Sequence, residues 1–272
     1  MRRFGEASLP VLRRLGDDLT VAMELGLLGN SALATGDIDR ARALTEESLE
    51  VARRAGDLMT ETYALFTSGM MLAWSGELDE GERLLEESVR GARQLGNVRS
   101  VGNWLRALGG IALARGDYAR ARLIFEESLD IHRTLGDTWG ISRSLSRLAL
   151  VLLEAHDLEA SRRLLAESLA IEREVGDRPG QLFNLEALAG VAGAEGHRVR
   201  AARLYACASV LRESVGSHAV EVGWHDHELH AARLRSVLGE EAFAEAWEQG
   251  RAMTLAESLD YALEEAADVE NA

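Results

Sequence analysis

A two-residue turn signal recurs at one constant interval along most of the chain. One set consists of Gly36-Asp37, Gly76-Glu77, Gly116-Asp117, His156-Asp157 and Gly196-His197. A second set, offset by half of that interval, consists of Gly16-Asp17, Gly56-Asp57, Gly96-Asn97, Gly136-Asp137, Gly176-Asp177 and Gly216-Ser217. Glycine suits the left-handed residue that ends a helix, and Asp or Asn caps the helix that follows. The pattern predicts two alternating helices of roughly 17 residues, and such short turns make neighbouring helices antiparallel.

Columns of like residues inside the repeat predict how these helices pack. Leucine recurs in the first helix at Leu25, Leu65, Leu105, Leu145 and Leu185. Small residues recur four positions later at Gly29, Gly69, Gly109, Ala149 and Ala189, and in the second helix at Ala41, Gly81, Ala121, Ser161 and Ala201. Buried leucines fill holes in the neighbouring helix, and small residues allow two backbones to approach closely. One helix pair cannot bury its own apolar faces, whereas a stack of pairs can.

These observations predict an all-α fold, a solenoid of about five antiparallel helix pairs. The solenoid is expected to span residues 1–216, with a partial repeat at 1–16 and repeats near 17–56, 57–96, 97–136, 137–176 and 177–216. After Gly216 the period fails. We expect a loop from Gly216 to Gly223, helices near His225–Leu238, Glu240–Gln249 and Leu255–Glu265, and hence a C-terminal helical cap over 217–272. Thr254 and Glu257 have the spacing of a capping box.

The order of these residues resembles the tetratricopeptide repeat, and this resemblance implies that the solenoid is a right-handed superhelix. In the second block the matching positions are Leu65, Gly69, Leu72, Gly76, Leu78, Gly81, Leu85 and Ser88. The usual period of that repeat is about 34 residues. The period here is longer, as the step from Gly36 to Gly76 shows, and this longer form resembles the helical region of large bacterial transcriptional regulators.

These regulators are the maltose-activator-like and actinobacterial LuxR-type or AfsR-type proteins. The segment from Arg200 to Leu263 also resembles the C-terminal end of the actinobacterial ones. The resemblance implies a sensor region that receives an inducer or partner and signals to an ATPase and a DNA-binding domain.

Neither of those two domains is found in this sequence. Its first residues, Glu6 to Asp17, align with Glu46 to Asp57, so the chain opens inside the second helix of a repeat. We interpret it as a fragment of a longer regulator or as a stand-alone derivative. Pro10 falls inside this first helix, and we expect the helix to begin near Ser8 with Pro10 in its first turn.

Composition excludes several functions. The net charge is −15, which argues against nucleic acid or an anionic membrane as the main partner. All 30 basic residues are Arg, so a Walker-A lysine and lysine chemistry are excluded. The sequence has no long apolar run, and the single cysteine, Cys207, fits a reducing compartment, so we expect a cytoplasmic protein. Cys207 is expected to be buried and inert. We predict no cofactor, no metal and no catalytic residue.

The first helices of stacked pairs line the concave side in this type of repeat, which gives a candidate binding surface. The residues predicted to bind a ligand or partner there are Tyr63, Phe66, Met70, Trp74, Asn103, Arg106, Arg143 and Phe183. Aromatic rings stack, Asn pairs with a backbone amide and Arg pairs with a carboxylate. The alternative is that the lengthened helices turn some of these side chains into the core between repeats.

A histidine cluster in the segment Gly223 to His230 is a second candidate site. His227 and His230 would share one face of a helix and His225 stands nearby, so a metal could use them. The segment lies at a helix start in the predicted cap, however, where polar residues are expected. Simple solvation is therefore favoured over a pH-sensitive helix end or a metal site. The recurring Glu pairs, such as Glu46-Glu47 and Glu126-Glu127, are likewise interpreted as solvated faces partly paired with Arg.

Three functions compete. The leading hypothesis is a non-enzymatic interaction or sensor module of a bacterial transcriptional regulator, which binds a protein, a peptide or a small-molecule inducer. The second is a stand-alone receptor for a small molecule or peptide. The third, an enzyme on a helical-repeat scaffold, lacks a reactive constellation in the sequence.

Overall fold

The computed structural model describes residues 2–215 and 227–264, and every regular element in these ranges is a helix. The fourteen helices of the described ranges are α1 (Arg2–Leu15), α2 (Asp18–Ala34), α3 (Ile38–Ala55), α4 (Leu58–Trp74), α5 (Leu78–Gln94), α6 (Val98–Ala114), α7 (Tyr118–Leu135), α8 (Thr138–Glu154), α9 (Leu158–Val175), α10 (Arg178–Ala194), α11 (Arg198–Val215), α12 (His227–Leu238), α13 (Glu240–Ala252) and α14 (Leu255–Leu263). From α2 to α11 they form consecutive antiparallel pairs, which confirms the predicted all-α repeat fold.

The turns have the predicted chemistry. Nine of the recurring glycines, from Gly16 to Gly196, have positive φ angles between 62° and 91°. The side chains of Asp37 and Asp57 then accept hydrogen bonds from the N–H groups of Arg40 and Thr60, at 3.3 and 2.8 Å. Most of these turns therefore end one helix in the left-handed region and cap the next, whereas the side chain of Glu77 makes no capping hydrogen bond. The predicted turn at Gly216-Ser217 and the loop that follows lie outside the described residues.

His156 occupies the left-handed turn position that glycine occupies in the other described turns, with φ of 60°. A β-carbon is disfavoured there, so His156→Gly should raise the free energy of unfolding by about 1 kcal/mol. Urea denaturation of the two proteins measures the difference. The reverse change, Gly116→Ala at φ of 74°, should lower the stability by a similar amount. Equal stabilities of both variants and the parent chain would contradict the strain assigned to this turn.

The two predicted packing columns are both found in the core. The five column leucines are at most 4% exposed, and Leu25, Leu145 and Leu185 are fully buried. Gly69 and Gly81 face each other across α4 and α5, where a β-carbon on Gly81 would lie 2.9 Å from the Gly69 carbonyl oxygen. In the fourth repeat the small residue is Ser161, whose hydroxyl donates a hydrogen bond to the Ala149 carbonyl at 2.8 Å. Small residues therefore set the close approach within each pair.

The described residues form two compact units, which divide within α7 between Ile131 and His132. The first unit holds α1 to α6 and the beginning of α7. The second holds the rest of α7 and α8 to α14, and in it α13 and α14 pack against α11. Thr254 and Glu257 form the predicted capping box at the start of α14.

The prediction for the first helix was wrong. It begins at Arg2 rather than near Ser8, so Pro10 lies in the helix interior instead of the first turn. Leu9 is 8% exposed and Leu12 packs against the same apolar cluster, together with Leu25 and Leu28. We attribute the continuous helix to this packing, since tertiary burial outweighs local propensity in most protein helices.

The recurring glutamates lie on exposed faces and pair with arginines of the preceding repeat. Arg93 contacts Glu127 at 2.6 Å, and Arg133 contacts Glu167 at 3.5 Å with the same separation along the chain. Arg13 pairs with Glu47 in the same way. This agrees with the interpretation of solvated, partly paired faces. Within the described residues, no helix has the length and apolar character required to cross a membrane.

Candidate functional site

Six of the predicted binding residues lie on two helices of the first unit. Tyr63, Phe66, Met70 and Trp74 lie on α4, and Asn103 and Arg106 lie on α6. All six side chains are partly buried, so each is neither fully exposed nor enclosed in the core. We call these six residues the α4–α6 face. Their intermediate burial means that the same side chains contribute to packing between repeats and retain exposed surface, and ligand binding by this face stays a prediction.

The aromatic side chains of the α4–α6 face are held by aromatic contacts. Phe66 stacks on Trp104, with ring centroids 5.4 Å apart and an interplanar angle of 18°. Tyr63 lies 6.3 Å from Phe66 in a tilted arrangement. Trp104 is only 7% exposed and was absent from the predicted set. Its column holds Ala64 in the preceding repeat and Ser144 in the next, so the repeat pattern gave no sign of an aromatic support here.

Polar atoms of this face differ in whether they are paired internally. The Tyr63 hydroxyl accepts a hydrogen bond from the Asn30 amide at 3.5 Å, and burial raises the pKa of Tyr63, so this phenol stays neutral. The indole N–H of Trp74 and the side-chain oxygen of Asn103 are buried and have no hydrogen-bond partner among the described residues. Buried polar atoms are nearly always paired in folded proteins. Two side chains of this face thus have an unpaired polar atom, a donor on Trp74 and an acceptor on Asn103, and both atoms lie beneath the solvent-accessible surface of the free protein.

The two remaining predicted residues, Arg143 and Phe183, lie in the second unit and are buried. The guanidinium of Arg143 is 2.8 Å from the Asp177 carboxylate and 5.4 Å from the Trp139 ring. Phe183 is 8% exposed, and the Arg147 guanidinium lies 4.5 Å from its ring centroid. Both side chains are engaged in internal contacts, so a ligand must compete with these contacts. Ligand binding by Arg143 and Phe183 stays a prediction.

The histidine cluster is only partly described. His225 and the side chain of His227 lie outside the described residues, whereas His230 stacks on Tyr205 with centroids 5.8 Å apart. In the part of the chain that the structure describes, no three His, Cys, Asp or Glu side chains are grouped as metal ligands.

Cys207 is 3% exposed, as predicted for a buried thiol. Its Sγ atom lies 3.3 Å from the Gly250 carbonyl, and burial raises the pKa of the thiol. The thiolate, which is the nucleophilic form, is therefore disfavoured.

The stacked helix pairs form a tetratricopeptide-like solenoid fold. The sequence profile of the tetratricopeptide repeat matches residues 60–134, which include all of α5 and α6 and nearly all of α4 and α7. Proteins built from such repeats generally use the surface of stacked helices to bind other proteins. A comparison with curated protein sequences finds no match.

Several solved structures share this fold at low sequence identity. BtubC (BKLC) from P. vanneervenii has a TM-score of 0.64 and 18% identity, over 83% of this chain and 92% of its own. The apo form of RapI has a TM-score of 0.58 and 12% identity, over 95% of this chain and 79% of its own. A signal-transduction ATPase from Pyrococcus horikoshii with a tetratricopeptide repeat sensor has a TM-score of 0.52 and 13% identity, over 86% of this chain and 39% of that protein. At these identities the likeness establishes the fold alone.

Proposed function

We propose that this chain is a non-enzymatic sensor module of a bacterial transcriptional regulator, and that it binds an extended peptide segment through the α4–α6 face. The observation that carries the proposal is the composition of that face. It combines partly exposed aromatic and thioether side chains with a polar donor and a polar acceptor that lack internal partners.

An extended peptide has the groups that this surface requires. Its backbone supplies carbonyl oxygens and N–H groups, which would pair with the indole N–H of Trp74 and the side-chain oxygen of Asn103 once these two partly exposed side chains turn toward the peptide. Its apolar side chains can pack against Phe66 and Met70, and Phe66 is already positioned by its stack on Trp104. Rigid aromatic anchors lose little conformational entropy on binding, and such residues dominate the energetics of most interfaces.

The regulatory role rests on sequence resemblance and on one structural relative. The lengthened repeat and the segment from Arg200 to Leu263 resemble LuxR-type and AfsR-type regulators. The Pyrococcus horikoshii protein is described as an ATPase with a tetratricopeptide repeat sensor, which is a comparable division of labour. With a net charge of −15, this chain is unsuited to bind DNA itself. DNA binding and ATP hydrolysis would belong to other domains or to a partner.

Peptide binding should depend on the indole N–H of Trp74. A library of short random peptides is selected against the full chain, and a selected peptide is then measured by isothermal titration calorimetry. Trp74→Phe keeps an aromatic ring but removes the N–H, so it should weaken binding about tenfold. Because that N–H is buried and unpaired in the free protein, the melting temperature should stay the same or rise slightly.

Phe66→Ala removes the main aromatic anchor and should weaken binding of the same peptide by about thirtyfold. Leu123→Ala is the matched control, since Leu123 lies on α7 and is 68% exposed, outside the α4–α6 face. Circular dichroism confirms that each variant is folded. Selected peptides that bind Phe66→Ala and Trp74→Phe as tightly as the parent chain would refute binding through this face.

A further inference from the structure

A cavity of about 630 Å³ lies within the second unit, bounded by α8, α10, α11 and α12. Its size falls in the range of small-molecule pockets, about 300–1,000 Å³. The α4–α6 face belongs to the first unit, so this cavity is separate from the surface proposed above for peptides. None of the predicted binding residues lines it.

The space exists because α10 has small residues where it borders the cavity. Ala187, Gly190 and Ala194 follow the spacing of one helix face, and all three line the cavity. A β-carbon on Gly190 would make only ordinary contacts, 3.4 Å to Leu153 and 3.9 Å to the Tyr205 hydroxyl oxygen. Gly190 is therefore not required by close packing, in contrast to Gly69 or Gly109. Leucine and valine side chains from α8 and α12 complete a mainly apolar wall.

The charged groups of the cavity fall into two kinds. Glu186 is 4% exposed and forms an ion pair with Arg212, so its negative charge is compensated. Glu154 also lines the cavity, and its side chain is not without an interaction partner. Arg198 and Arg233, in contrast, are exposed lining residues from α11 and α12, and neither guanidinium has a hydrogen-bond or ion-pair partner within the described residues. The rim thus offers two uncompensated cations beside an apolar interior, together with the imidazoles of His156 and His230.

We infer that this cavity binds a small apolar carboxylic acid as its anion. The hydrocarbon part would fill the space beside Ala187, Gly190 and Ala194, and the carboxylate would pair with Arg198 and Arg233. Guanidinium groups match carboxylates in planar, two-pronged geometry. Burial of the hydrocarbon adds affinity in proportion to the apolar area removed from water. A cationic ligand of the same shape is disfavoured by both arginines.

The charge preference is tested with three probes of equal chain length, namely octanoate, octanol and octylamine, titrated into the full chain by isothermal titration calorimetry. Octanoate should bind at one site. Octanol should bind about tenfold more weakly, because it lacks the charge-assisted hydrogen bonds, and octylamine should bind more weakly still. Absence of octanoate binding, or equal affinity for octanoate and octanol, would overturn the inference.

Substitutions of lining residues test whether octanoate binds in this cavity. Arg198→Gln combined with Arg233→Gln should weaken octanoate about tenfold or more and leave octanol unchanged. Arg163→Gln is the matched control, because Arg163 is an exposed arginine on α9 that does not line the cavity. Gly190→Leu should fill the space and abolish binding of both octanoate and octanol.

Circular dichroism establishes that Gly190→Leu is folded. If that variant unfolds, Ala194→Leu at the exposed end of α10 replaces it, with the same expected loss of binding. Octanoate binding that survives both the double arginine variant and the folded cavity-filling variant would overturn the assignment. None of these outcomes depends on peptide binding, so the two proposals fail or succeed separately.

Discussion

Replacing Phe125 by alanine is expected to lower the free energy of unfolding by about 3–5 kcal/mol. Phe125 on α7 is completely buried, and its ring lies against Gly109 of α6. The fit is tight, since a β-carbon on Gly109 would lie 2.6 Å from a ring carbon of Phe125. Removing the ring leaves a cavity that two helices anchored by further contacts cannot close. Urea denaturation followed by circular dichroism measures the loss.

Three further variants establish that the lost ring contact causes this loss of stability. Leu123→Ala changes a 68% exposed side chain on the same helix and should alter the stability by less than about 0.5 kcal/mol. Gly109→Ala should cost about 1–3 kcal/mol, because its new methyl group collides with the Phe125 ring. In a chain that already carries Phe125→Leu, Gly109→Ala should lower the free energy of unfolding by less, because the two positions share one contact. A loss below about 1 kcal/mol for Phe125→Ala would contradict the packing described for this pair.

Stability should also depend on pH through Glu172, in a direction opposite to that of most carboxylates. Glu172 on α9 is fully buried, and burial raises its pKa to about 8. The neighbouring charges are Arg143, which favours the carboxylate, and Asp177, which disfavours it. Hydrogen bonds from the side chains of Asn184, at 2.5 Å, and Ser168, at 3.4 Å, also favour the ionised form, but burial outweighs them.

The sign follows from the proton balance. Between the ordinary pKa of a glutamate, 4.5, and about 8, the folded chain keeps the proton on Glu172, whereas the unfolded chain has lost it. The contribution of this residue to stability therefore falls as pH rises through that window, by a total of the order of a few kcal/mol, and is constant above it. Glu172→Gln cannot ionise and should lack this decline.

The experiment compares urea denaturation of the parent chain and Glu172→Gln at several pH values across the window. The stability difference in favour of the variant should grow with pH and reach a plateau above about pH 8. Glu167→Gln on the same helix is the matched control, because Glu167 is exposed and pairs with Arg133. A difference that stays constant with pH would contradict the protonated, buried state of Glu172.

The helices could be predicted from the sequence because the same local signal is repeated at fixed intervals. Gly56 followed by Asp57 determines a left-handed helix end and a cap through backbone sterics and one hydrogen bond, without help from distant residues. The position of His156 in the register identified it as a turn although its side chain disfavours that conformation. Pro10 was misjudged because packing of Leu9 and Leu12, a tertiary effect, determines whether the helix continues past it.

The interior of the second unit could not be predicted because it departs from the repeat. One column of the second helices reads Ala52, Ala92, His132 and Glu172, so two small residues are followed by two large titratable ones. The facing column reads Thr60, Ser100, Gly140 and Gly180. His132 and Glu172 occupy the space that a side chain on Gly140 or Gly180 would need. A large side chain on one helix is thus compensated by a glycine on the facing helix. This compensation can be predicted only if the residues that contact each other are known.

The sequence was sufficient to assign the residues of the candidate surface to one side of a helix, but not to predict how exposed they are. The assignment of Tyr63, Phe66, Met70 and Trp74 to one stripe of α4 needed only helical periodicity. Their partial burial depends on residues of the neighbouring helix, above all Trp104, which stacks on Phe66. Arg143 and Phe183 follow the same periodicity, but Asp177 and Arg147 engage them. Such pairings arise from tertiary packing and leave no periodic signal.

Peptide binding by the α4–α6 face can be followed by methyl-labelled methionine NMR of the full chain. Met70 belongs to that face, whereas Met59 is 56% exposed at the start of α4 and Met253 lies in the second unit. On titration with a peptide selected by the full chain, the Met70 methyl signal should shift most, and Met59 and Met253 should change little. A shift of Met253 with an unchanged Met70 signal would place the peptide away from the α4–α6 face and refute the proposed site.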